Sequence, residues 1–156
     1  MSDPNVFEPE WEPGTPLGLR AVRVAAAAGA RELGVTLYEL DPHAAVAPYH
    51  VHHANEELMV VLSGRPRVRT PSGTRELEPG AVVAFPRGPD GAHQVTNPSD
   101  EPVRVLLMST MNFPDIAEYP DTGALLAMTA PGAGRAFPAY GERPVFELYR
   151  EAMEKG

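Results

Sequence analysis

From Leu19 to Thr110 this chain repeats one rhythm: a short strand-like run, a turn, another short strand-like run. The runs cover residues 19–25, 35–40, 47–52, 57–62, 66–70, 74–77, 81–85, 93–96 and 103–109. Between them stand Asp41-Pro42, Ser63-Gly64, Pro71-Ser72-Gly73, Pro79-Gly80 and the polar stretches 87–91 and 97–102. Proline and glycine punctuate local structure, so the 18 prolines and 14 glycines mark turns here. Many short strands at this spacing predict an all-β chain folded as an antiparallel sandwich or barrel. Residues 124–129 are a further strand candidate, and no internal repeat is present.

The flanks read differently. Residues 1–18 are acidic and proline-rich, which suits an extended N-terminal arm with Trp11 as its anchor. After Pro144, the residues Val145, Phe146, Tyr149, Ala152 and Met153 have helical spacing with proline in the first turn, so a short C-terminal helix is expected. The expected organisation is an arm over 1–18, a β-barrel over 19–112 and an extension packed on it over 113–156. Two runs, 58–62 and 103–108, are apolar on both faces apart from Arg104. A strand with one wet face alternates, so the outer face of these strands should be covered by the arm, by a second subunit, or by both. A homodimer through that sheet is the natural expectation.

Charge and composition exclude several classes. A net charge of -8, with Lys155 as the single lysine, argues against nucleic acid or an anionic membrane as the main partner. There is no cysteine, hence no disulfide and no thiolate metal site. The acidic opening is unlike a signal n-region, and the alanines at 25–28 are too short and too late for an h-region, so a cytoplasmic location is expected. No apolar stretch approaches the ~20 residues that span a bilayer.

Chemistry is concentrated in two short stretches. His50-Val51-His52 places two imidazoles on one face of an extended chain, because strand side chains alternate. Glu57 opens the apolar run that ends at Ser63-Gly64, and His93 heads a second strand. Three imidazoles and one carboxylate from neighbouring strands can form the first shell of a divalent transition metal.

These stretches resemble the two motifs of small single-domain cupins. In the first motif, His50, His52, Glu57 and Gly64 stand with four residues between His52 and Glu57 and six between Glu57 and Gly64. In the second, Gly80, Pro86, Gly88, His93 and Asn97 recur in the family's order. The resemblance, over about residues 35–111, implies a double-stranded β-helix (jelly-roll barrel) with His50, His52, Glu57 and His93 as metal ligands. The stretch from Phe85 through Gln94 also resembles bacterial cupins with no assigned reaction. Two departures concern the shape of the pocket. Four residues separate Gly88 from His93 where the family more often has two, and Ala44 stands where a glycine is usual. The count to Gly64 favours Glu57 over Glu56 as the carboxylate ligand.

Other residues carry weaker signals. His53 lies on the opposite strand face from His52, and His43 follows Asp41-Pro42 in a turn; both read as solvated or hydrogen-bonded. Arg65, Arg67 and Arg69 share one strand face, read as a solvated row balanced by Glu76 and Glu78 rather than as an anion cradle. Tyr38, Tyr49, Met59, Phe85 and Gln94 suit a cavity wall or barrel filling, and Asn97 suits a turn. Tyr49 and Glu56 are the nearest catalytic acid–base candidates by sequence.

One Fe(II), Mn(II), Ni(II), Co(II) or Zn(II) ion per chain fits this shell, and the Irving–Williams order does not choose among them. Four protein ligands leave two octahedral positions for a small oxygen-rich molecule. That is compatible with dioxygenase, decarboxylase, isomerase or hydrolase chemistry, and fold does not decide among them. A non-catalytic cupin that binds or senses a small ligand or metal is the alternative, and a barrel that has lost its metal is a third. The loop over 87–92 is expected to influence substrate choice.

Overall fold

A computed structural model describes residues 3–12, 18–138 and 153. Among them lie twelve strands: β1 (Leu19–Val22), β2 (Gly34–Leu40), β3 (Val51–His52), β4 (Glu57–Ser63), β5 (Arg67–Thr70), β6 (Gly73–Glu76), β7 (Val82–Phe85), β8 (Gln94–Thr96), β9 (Val103–Ser109), β10 (Asp115–Tyr119), β11 (Ala124–Ala130) and β12 (Ala133–Phe137). They form a five-stranded sheet, β1-β2-β9-β4-β7, a four-stranded sheet, β12-β11-β10-β3, and a three-stranded sheet, β6-β5-β8. Strand pairs such as β2–β9, β4–β9, β5–β8 and β10–β3 are antiparallel. The all-β expectation therefore holds.

The core lies between the five-stranded and three-stranded sheets. Leu40, Met59, Val61, Val83, Phe85, Val103, Val105 and Leu107 meet Val68, Leu77 and Val95 in one buried cluster. Their alternation along β4 and β9 follows from the two-residue period of a strand, which sends successive side chains to opposite faces. On the outer face, Arg104 has a specific partner. It stands opposite Glu39, which stands opposite Arg20. The buried Glu39 carboxylate accepts hydrogen bonds from both guanidinium groups, the Arg104 Nε bond being 2.6 Å. The half-buried Trp11 ring lies 5.0 Å from the Arg20 guanidinium and 5.4 Å from that of Arg104, within cation–π range.

Several expected elements are shorter than their apolar runs. The 19–25 run breaks after β1, and Val24–Ala27 turns into a short helix, α1. Alanine loses no side-chain entropy in a helix, which favours that choice. The 47–52 run pairs as a strand only at Val51–His52, with His50 forming a separate bridge. Pro48 has no N–H to give to a ladder. Beyond residue 111, β10 and β12 lack the alternation that reveals strands. In β10 the inward positions are Asp115 and Ala117, each 1% exposed, while Ile116 is 45% exposed. β12 is an edge strand, exposed throughout. The helix expected near the C-terminus lies outside the described residues, apart from Met153. No helix among the described residues is long and apolar enough to cross a membrane.

Asn97 is the turn-former that its position suggested. Its buried side-chain amide donates to the carbonyls of Leu40, Asp41 and Glu101 at 3.1, 3.1 and 2.8 Å, and its oxygen accepts from the Ser99 N–H and hydroxyl. Asn97→Ala strands these groups where water cannot replace the lost partner. We expect a loss of about 2–3 kcal/mol, measured by urea unfolding.

Candidate metal centre

The site begins with a backbone contact. His50 and His93 face each other across an isolated antiparallel bridge and exchange both hydrogen bonds, at 3.0 and 2.8 Å. Their rings are 4.6 Å apart between centroids. His52, two residues beyond His50, presents its ring on the same side at 5.0 Å. β4 then brings Glu57 up from its first position. The donor atoms of His50, His52 and Glu57 all lie within 4.8 Å of one another. The Nε2 atoms of His93 and His52 lie 3.3 and 3.8 Å from the same Glu57 oxygen, Oε2. All four sequence-predicted ligands are thus brought together.

The second ring nitrogen of each histidine has an acceptor. His50 Nδ1 bonds the Pro48 carbonyl at 2.8 Å, His93 Nδ1 bonds the Gly91 carbonyl at 2.9 Å, and His52 Nδ1 bonds Asp115 Oδ2 at 2.6 Å. A carbonyl or carboxylate cannot donate, so each Nδ1 carries a proton, and the buried His50 and His93, whose pKa values are lowered, keep a lone pair on Nε2. This is the tautomer that a metal requires, fixed by the atoms behind the ligands. Phe85 stacks on the His93 ring at 3.7 Å and 9°, holding its plane.

Burial sets the protonation. It lowers the His93 pKa to about 3, with help from the neighbouring His50, and it lowers His50 as well. Both imidazoles are neutral at neutral pH. Burial also raises the Glu57 carboxyl, which His52 partly opposes. Burial would raise Asp115 too. The Ala54 N–H at 2.8 Å, with His52 and Asn55, overcomes that and holds its carboxyl below the usual range. A divalent ion among these donors would favour the ionised Glu57 and the neutral imidazoles that ligation needs.

A cavity of about 430 Å³ opens beside the four donors. Its walls include Thr36 and Tyr38 from β2, Leu107 and Ser109 from β9, Met111, Phe113, Met128 from β11, and Arg23. Burial raises the pKa of the Tyr38 hydroxyl above its ordinary range, although a hydrogen bond with Thr36 opposes the shift.

Other expectations resolve plainly. Tyr49 and Glu56, the acid–base candidates by sequence, are not among the residues that line this cavity. Tyr49 is buried on another side, its ring 3.9 Å beneath the Arg69 guanidinium, because residue 49 points away from the face shared by 50 and 52. Glu56 precedes β4 and is exposed to solvent. The 87–92 loop forms a 3-10 turn over Pro89–Gly91 and does not line the cavity; it supplies the carbonyl that holds His93. His53 bonds Glu118 at 3.2 Å and His43 pairs with Asp100 at 3.4 Å, both in exposed positions. Arg65 and Arg67 pair with Glu78 and Glu76 as expected, whereas Arg69 pairs with Asp121. Asp115 was not anticipated. It stands 63 residues from the histidine it orients, and a lone aspartate between Pro114 and Ile116 carries no spacing signal.

Residues 36–109 match the cupin domain family. Among solved structures, a sugar phosphate isomerase from a cupin superfamily, from Silicibacter pomeroyi, is 26% identical, with 81% of this chain and 80% of that chain covered and a TM-score of 0.73. A proposed sugar phosphate isomerase from Acidithiobacillus ferrooxidans is 25% identical over 86% and 87% of the two chains, with a TM-score of 0.74. The polyketide cyclase RemF from Streptomyces resistomycificus, at 23% identity over 70% and 78% and a TM-score of 0.55, shares the fold. None of the curated proteins matches this sequence.

Gly91 is dictated by this local geometry. A Cβ there would lie 1.6 Å from the Pro86 carbonyl oxygen. Gly91→Ala must therefore displace the turn and the carbonyl that holds His93. We expect at least about 2 kcal/mol of destabilisation by denaturant titration, larger than for alanine at the neighbouring exposed Asp90.

Proposed function

From the premise that this chain belongs to the cupin superfamily, we propose that it is a metal-dependent enzyme acting on a small oxygen-rich metabolite in the cytoplasm. His50, His52, Glu57 and His93 hold one divalent transition metal. The observation that carries this reading is the convergence of the His93 and His52 Nε2 atoms on one Glu57 oxygen, with every Nδ1 turned outward onto an acceptor. The bound metal supplies Lewis-acid polarisation of a substrate oxygen and a template for two donor atoms. Asp115 orients His52. Tyr38 lines the cavity beside the four side chains, and on that placement we assign the proton-donating role to it in place of Tyr49 and Glu56, which do not line it. Thr36 and Ser109 offer further hydroxyls to an oxygen-rich ligand. The similarity to structures described as sugar phosphate isomerases places isomerisation first among the reactions to test. A binding or sensing cupin is the second reading, since the same cavity holds a ligand without turning it over.

The same proposal includes a homodimer. On β4 the outward residues Leu58, Val60 and Leu62 are half-buried, and Val60 stands between Leu106 of β9 and the 59% exposed Val82 of β7. A two-fold copy of this row would cover it. Sedimentation at micromolar concentration is expected to show a species of twice 16.8 kDa, and a monomer alone would remove this part.

Metal content decides the central claim. Protein purified without an affinity tag should carry about one metal ion per chain, and His50→Ala, His52→Ala, Glu57→Gln and His93→Ala should each lose it on dialysis. Asp115→Asn should retain metal with affinity lowered about 10–100-fold in chelator competition. Glu56→Gln and His53→Ala should stay near the parent. Equal metal in all variants would refute the assignment. Turnover that depends on added metal would separate the enzyme from the binding module.

A further inference from the structure

We propose that Arg23 reads an anionic group, carboxylate or phosphate, on the ligand, and that Glu12 is the resident partner this group displaces. The inference rests on the metal-site reading above and deepens it by giving the ligand a second, charged end. Arg23 lies at the end of β1 and lines the same cavity as the four donors. It is the one Lys or Arg side chain among the described residues lining that cavity.

Among the described residues, the other arginines paired with carboxylates are held more closely. Arg104–Glu39 is 2.6 Å, Arg69–Asp121 is 2.6 Å, Arg67–Glu76 is 2.9 Å and Arg65–Glu78 is 3.1 Å. Arg23 meets Glu12 at 3.3 and 3.5 Å, through two parallel but long contacts, with both side chains largely in water. An exposed pair of this kind contributes little and exchanges readily. Its fork geometry is the one that a carboxylate or phosphate would adopt in Glu12's place. Glu57 and the ionised Asp115 behind His52 would balance a divalent ion, so Arg23 is the cation left at the cavity to meet an anionic group.

The test uses metal-chelating probes with and without a charged tail. Co(II)-loaded protein is titrated with acetohydroxamate, with ω-carboxylate hydroxamates of graded spacer length and with the matching phosphonates, read by the visible spectrum of the metal. At one spacer length, the charged probe should bind about tenfold more tightly than the neutral one. In Arg23→Gln the two should bind alike, and Arg23→Lys should recover part of the difference. Glu12→Gln should strengthen the charged probe a few-fold and leave the neutral probe unchanged. The larger advantage, carboxylate or phosphonate, identifies the source of the anion. If acetohydroxamate shifts the spectrum but no charged probe gains, or the gain survives in Arg23→Gln, the Arg23 assignment is overturned while the metal reading stands. An unchanged charged-probe affinity in Glu12→Gln overturns the displacement by itself. Absence of bound Co(II) overturns both readings together.

Discussion

The site depends on the double hydrogen bond between His50 and His93. A directly opposed, hydrogen-bonded antiparallel pair holds its two Cα atoms about 5.5 Å apart. Residues distant in the chain thereby become immediate neighbours, and their rings inherit that closeness. The same two residues each turn Nδ1 back onto the carbonyl two positions earlier, Pro48 in one case and Gly91 in the other. One local device is thus used on both sides of the bridge. It fixes the position of the Nδ1 proton and the orientation of both rings by protein atoms alone. The bridge also joins the β3 side of the four-stranded sheet to β8 of the three-stranded sheet.

Electrostatic cost is distributed outward from this point. Burial opposes charge on His50, His93 and Glu57 alike. The buried Asp115 carboxylate is stabilised by a backbone N–H and by His52. On the far face of the five-stranded sheet, a second buried carboxylate, Glu39, is stabilised in a different way, by two guanidinium groups beneath Trp11. Truncating one partner of such a buried group costs much more than the pair contributes, because the remaining charge is stranded. The two carboxylates therefore act locally: one aims a histidine, the other ties β1, β2 and β9 together.

The core strands were legible as short apolar runs between turns, and the four site residues through two short motifs that resemble those of cupins. β4 and β9 are largely apolar on both faces and alternate only in burial, His50 and His52 share a face by the two-residue period, and Gly64 sits at a turn with φ of 74°. Where those signals fail, the sequence gives no warning. β10 buries an aspartate and exposes an isoleucine, β12 buries nothing, and residues 47–50 are irregular around Pro48. The acid–base candidates were read from proximity in sequence to the histidines, yet proximity along a strand alternates between faces. Tyr49 lies next to His50 in the chain and on the other side of the strand. Tyr38, from a different strand of the adjoining sheet, faces the cavity.

A division of labour follows from where the cavity residues lie. The family match spans residues 36–109 and contains all four donors. Arg23, Gly34, Met111, Phe113, Asp115, Met128, Pro131 and Gly132 also line the cavity and fall outside that span. The common segment therefore supplies the clustered histidines and glutamate, while the flanking segments supply much of the cavity wall. The two structures described as sugar phosphate isomerases align over 81 and 86% of this chain, more than the matched segment spans. The methionines and the arginine of the flanks thus shape the cavity into which the histidines and glutamate of the matched segment open, so the two parts of the chain can vary independently.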